Sequence, residues 1–82
     1  MPWGFFDGAS QNHGNYCGAG YILYVSNSYY FFGKAFLGLG TDNYGELIAL
    51  LLLMKATCKK RINALQIFGD SNFSMRWMND HY

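Results

Sequence analysis

The sequence predicts a mixed α/β domain built around one central sheet, and three observations predict it. The first half holds short runs of aromatic and β-branched residues separated by clusters of Gly, Ser and Asn. One apolar segment of helical length follows, over residues 43–57. A further apolar run, Ala64-Leu65-Gln66-Ile67-Phe68, comes directly after it. A helix between two strands is long enough for a crossover, which returns the later strand parallel to an earlier one. The class is therefore α/β with a mixed sheet.

Each element has its own signal. Trp3-Gly4-Phe5-Phe6-Asp7 reads as a short aromatic strand, and residues 8–15, rich in Gly, Ser, Asn and Gln, as a turn. Gly20-Tyr21-Ile22-Leu23-Tyr24-Val25 reads as a second strand. Ser26-Asn27-Ser28 is a hairpin turn, and residues 29–37 return as a third strand, completing an antiparallel meander. Within it, alternation sends half of Tyr29-Tyr30-Phe31-Phe32 into the core. Residues 38–42 break the pattern. Asn43 can cap the helix, with Glu46 at the capping-box spacing. Lys59, Lys60 and Arg61 lie at its end, where the last carbonyls favour cations, and read as a solvated helix end. Residues 64–68 are the fourth strand. From Ser71, a reasonable N-cap, the spacing of Phe73, Trp77 and Met78 predicts a second helix. The expected order is βββαβα.

Composition narrows the class. At 82 residues the chain holds one domain with a modest core, residues 1–82. Only 13% of residues are charged, against 51% hydrophobic, which excludes a solvated disordered segment. The same balance leaves apolar surface in need of cover, above all on the helix, whose residues 47–54 are apolar almost all round. The isolated chain is expected to fold poorly or to self-associate through that helix. A net charge of +1 gives no basic surplus for a nucleic-acid partner, although bound cations can offset this locally. Cys17 and Cys58 make neither a disulfide framework nor a four-ligand zinc site and read as packing residues in a reduced, intracellular compartment. Residues 47–54 are too short to span a membrane, and the N-terminus shows no signal peptide, so no membrane association is expected.

Three carboxylates stand at suggestive points. Asp7 lies at the end of the first apolar strand, where a charge is costly unless something binds it. Asp70 follows the carboxyl end of the fourth strand, the edge where open α/β sheets bind ligands. Glu46 sits in the first turn of the intervening helix. If the fourth strand lies parallel beside the first, Asp7 and Asp70 come within a strand spacing or two, roughly 5–10 Å, and Glu46 can overhang the same edge. Carboxylates clustered without a cation would repel one another. With two magnesium ions they can activate water and stabilise the leaving oxygen of a phosphodiester. Each also has an ordinary role: Glu46 in a capping box, Asp70 in a turn, Asp7 in an Asp-Gly turn.

Three motifs in order resemble the ribonuclease H family, type 1, in its reverse-transcriptase-associated plant form. They are Phe5-Phe6-Asp7-Gly8-Ala9-Ser10, Gly40-Thr41-Asp42-Asn43-Tyr44-Gly45-Glu46-Leu47-Ile48-Ala49-Leu50 and Ile67-Phe68-Gly69-Asp70-Ser71. The resemblance spans nearly the whole chain. It implies a ribonuclease H-like fold and cleavage of the RNA strand of an RNA–DNA hybrid, leaving a 3′-hydroxyl. It implies Asp7, Glu46 and Asp70 as catalytic residues holding two Mg2+ ions, with Mn2+ as a possible substitute. Asp7 would bridge the ions, and Glu46 would also lie near the scissile phosphate. Asn12, Thr41 and Asn43 match positions that touch nucleic acid. Hybrids are read by shape and 2′-hydroxyls, so weak sequence specificity is expected.

Two departures stand out. Asp42 replaces the usual Asn and would repel phosphate. Gly45 replaces the usual Ala within the helix, costing about 1 kcal/mol. The family also has a fifth strand, then a further helix with a fourth acidic ligand preceded by a histidine loop. The chain is read as a partial domain truncated before them, and Asp80 and His81 match neither acid nor histidine. A catalytically inactive fragment that only binds nucleic acid or protein is the alternative reading.

Overall fold

A computed structural model of the chain describes residues 1–11, 16–38, 42–70 and 73–79; for residues 9–11, 16, 17, 42 and 43 it describes the backbone alone. The elements are β1 (Trp3–Gln11), β2 (Tyr16–Ser26), β3 (Tyr29–Gly38), α1 (Asp42–Lys59), β4 (Ala64–Phe68) and β5 (Ser74–Met78). They form an α/β domain with one five-stranded mixed sheet, ordered β3-β2-β1-β4-β5. The meander β1-β2-β3 is antiparallel throughout. After α1, β4 returns parallel to β1, with Trp3 opposite Gln66 and Phe5 opposite Phe68.

Two expectations about elements are corrected. β1 runs on through residues 8–11, so the first half of the expected turn is paired strand, and β2 begins at Tyr16, ahead of the expected Gly20. Polar residues in a strand need only an edge or a solvated face, and composition alone does not reveal the pairing. The expected second helix is instead β5, antiparallel to β4, so the order is βββαββ and a fifth strand is present. Phe73, Met75 and Trp77 alternate with period two as well as Phe73 and Trp77 fit a helix. The β5 pairing satisfies the outer backbone groups of β4, which a helix would leave open. Asn79 N–H continues the pairing by donating to the Asn63 carbonyl at 2.7 Å. Ser71 lies outside the described residues. The helix bounds differ from expectation by two residues or fewer.

The helix lies on one sheet face. Its buried stripe is Gly45, Ala49, Leu53 and Thr57, four residues apart and so on one side. With Leu23 of β2 and Leu65 and Ile67 of β4 they make a core closed to solvent at its centre. Thr57 keeps its buried hydroxyl satisfied by donating to the Leu53 carbonyl at 2.7 Å. The opposite side of α1 is apolar too: Leu47 and Leu51 are each 54% exposed.

The helix ends in a Schellman motif. Ile62 N–H donates to Thr57 O at 3.1 Å and Arg61 N–H to Cys58 O at 3.0 Å. Arg61 takes the left-handed conformation, φ 57°, where glycine is the usual residue. Lys60 places its ammonium 4.0 Å from the centre of the Phe31 ring. The lysines and Arg61 are exposed, as a solvated helix end requires. Cys58 is exposed and in no disulfide, where a packing residue was expected.

The other sheet face carries an aromatic row. Tyr30, Tyr24, Trp3 and Phe68 lie side by side across β3, β2, β1 and β4, with Trp3 and Tyr24 stacked at 4.4 Å. Phe32 and Phe36 rise from the same face, 66% and 77% exposed. The expected burial of half of residues 29–32 does not occur. Phe31 is half-buried and the other three are exposed, because α1 covers only one face and reaches β3 at its margin.

Candidate active site

Parallel pairing between β1 and β4 stops early. It joins residues 3–5 of β1 to residues 66–68 of β4, while β1 continues to Gln11. Beyond Phe68 the chain turns away. Gly69 N–H donates to Phe73 O at 3.1 Å, and Phe73 N–H donates to Asp70 O at 3.0 Å. The sheet is thus notched at the carboxyl end of β4, where two parallel strands part and leave room for a ligand.

A cleft of about 170 Å³ occupies this notch, lined by Phe6, Asp7, Glu46, Asp70 and Phe73. Three elements deliver the three carboxylates. Asp7 comes from β1, two residues past its last partner in β4. Asp70 comes from the chain two residues past that partner, Phe68. Glu46 comes from the first turn and a half of α1. Asp7 and Asp70 are exposed and Glu46 half-buried, so all three meet water. Phe6 and Phe73, packed edge to face at 5.3 Å, form the apolar wall.

The helix start reaches the notch because of Gly8. A Cβ on Gly8 would overlap the backbone nitrogen of Glu46 and the carbonyl carbon of Gly45, and would lie 2.8 Å from the Glu46 Cα. Only a residue without a side chain lets β1 and α1 touch backbone to backbone there. Gly45, expected only to weaken the helix, is buried at this contact. Two glycines on different elements thus hold Glu46 beside Asp7.

Among the described residues, no group of three or more His, Cys, Asp or Glu side chains is gathered closely enough to hold a metal ion. The donor set in the cleft is nonetheless all oxygen. Magnesium prefers oxygen, keeps several of its waters and is usually held by one or two carboxylates. A solvated cleft with carboxylates on separate walls fits that habit better than it fits zinc, which takes nitrogen and sulfur donors in a closed shell.

The remaining expected residues are not tested by this geometry. Asn12 and Thr41 lie outside the described residues, as do Asp80 and His81; of Asp42 and Asn43 only the backbone is described, in the first turn of α1. Phe73 was missed as a cleft residue because it was read into a helix; the period-two spacing of Phe73, Met75 and Trp77 is the signal that would have placed it. Among the described residues, no helix is long and apolar enough to cross a membrane. Compared with known proteins, the chain matches no family model, no curated protein and no solved structure.

Proposed function

We propose that the chain is a ribonuclease H-like domain whose cleft serves metal-dependent cleavage of the RNA strand in RNA–DNA hybrids. The observation that carries this reading is the meeting of Asp7, Glu46 and Asp70 in one cleft, from three elements, at the end of β4. The three motifs that resemble the family supply the same three residues in the same order. The parallel return of β4 beside β1 supports it further, since Asp7 and Asp70 each lie two residues past the last pair, Phe5 and Phe68.

In this reading Asp7, Glu46 and Asp70 would hold two magnesium ions. When bound, these supply an activated water and charge stabilisation for the leaving oxygen. The water oxygen forms a bond to phosphorus as the bond to the 3′-oxygen breaks, and the products carry a 3′-hydroxyl and a 5′-phosphate. The chain's own part is positional. Asp7 is held in β1 by its pairing to Gly20 of β2, Asp70 sits in the turn closed by Phe73 N–H, and Glu46 is fixed by the contact of Gly8 with Gly45 and Glu46. Phe6 and Phe73 close one wall against water. Asn12, Thr41 and Asn43 are assigned to the nucleic-acid backbone and minor-groove edge by resemblance.

A second reading, a catalytically inactive domain that only binds nucleic acid or a protein, is favoured by the absence of a gathered three-ligand group among the described residues. One experiment separates the two. A labelled RNA–DNA hybrid is incubated with the chain, with and without magnesium, beside Asp70→Asn. Magnesium-dependent cutting that Asp70→Asn abolishes establishes the nuclease. No cutting by a protein with a cooperative melt refutes it and leaves the binding domain.

A further inference from the structure

On the sheet face away from α1, Asp7, Gly20 and Lys34 stand in one row across β1, β2 and β3: Asp7 pairs with Gly20, and Gly20 with Lys34. Paired residues project from the same face, so the carboxylate and the ammonium flank a position with no side chain. The result is a shallow trough lined by Asp7, Gly18, Gly20 and Lys34. It begins where the carboxylate cleft ends, because Asp7 lines both. Lys34 is exposed, two strand spacings or about 10 Å from Asp7.

The glycine at the centre is not there for packing. A Cβ on Gly20 would meet only the Gly33 carbonyl oxygen, at 3.6 Å, an ordinary contact. Gly18 has a local reason, since the β2–β3 register shifts between Cys17 and Gly18. Gly20 has none, yet glycine inside a strand weakens it and often marks a close approach by a ligand.

We propose that this trough is a track for the nucleic-acid backbone leading out of the cleft, with Gly20 as its floor and Lys34 gripping a phosphate beside the scissile one. The ligand is a phosphodiester chain, for which an ammonium acts as a point charge. This rests on the nuclease reading but assigns residues that its three motifs do not contain.

The test is binding of a fluorescent RNA–DNA hybrid to the full chain by anisotropy in EDTA, where no cutting occurs, across a salt series. Lys34→Ala is expected to weaken binding roughly tenfold, as loss of one charge-assisted contact does. It should also flatten the slope of log affinity on log salt by about one. Lys34→Arg should keep most of the affinity. Gly20→Ala should weaken binding while its melting temperature holds. Lys55→Ala, which removes the same charge from the outer side of α1, should change little. Wild-type binding with equal effects of Lys34→Ala and Lys55→Ala overturns the track alone. No hybrid binding by the folded wild type overturns the track and the nuclease reading together.

Discussion

Replacing Gly8 with alanine adds one methyl group at the point where β1 and α1 touch. The new carbon would overlap backbone atoms of Gly45 and Glu46, which cannot rotate away as a side chain would. Either the helix start lifts from the sheet or β1 bends. Overpacking of a core by a methylene typically costs about 1–3 kcal/mol, and backbone on the far side puts this site at the upper end, near 3 kcal/mol. For a domain of this size each kcal/mol lowers the melting temperature by roughly 4–8 °C, so a fall of about 12–24 °C is expected. The assay is thermal unfolding followed by far-ultraviolet circular dichroism, with Gly20→Ala as control. That control gains a methyl in open space and should melt within a few degrees of wild type. A Gly8→Ala protein that also melts within about 4 °C of wild type would refute the backbone contact, and with it the reason Glu46 sits beside Asp7.

Arg61→Gly should stabilise the domain by about 0.5–1 kcal/mol, because the left-handed conformation of Arg61 strains any residue with a Cβ; urea unfolding that shows no gain would count against the Schellman geometry. Leu47→Glu combined with Leu51→Lys should reduce self-association without loss of stability, since both side chains face outward and the pair keeps the helical i,i+4 spacing. Sedimentation over a concentration series measures it, and an unchanged mass distribution would move the sticky surface to the uncovered aromatic face of the sheet. Leu65→Ala should cost about 2–5 kcal/mol, the range for a buried leucine with no solvent contact, and a milder loss by chemical denaturation would mean the core around β4 collapses onto the gap.

The sequence by itself determined the local elements whose signals are local. The aromatic and β-branched runs marked β1 to β4, and the apolar segment opened by a capping residue marked α1 to within two residues of its ends. It also singled out Asp7, Glu46 and Asp70 as the candidates, because the neighbours of each resemble a motif, and all three line one cleft. Period was ambiguous in one place: Phe73, Trp77 and Met78 suit a helix or a strand, and only the open edge of β4 decided for β5. Pairing beyond the apolar core of β1 was likewise invisible, since a ladder of backbone hydrogen bonds leaves no mark on side-chain composition. Tertiary structure alone decided the notch, the role of Gly8 and Gly45, and the row from Asp7 through Gly20 to Lys34. Those features depend on which strand stops first and which residue stands opposite which. Strand order and register are properties of the assembled sheet, and residues 13 or 14 positions apart in the chain become neighbours only there.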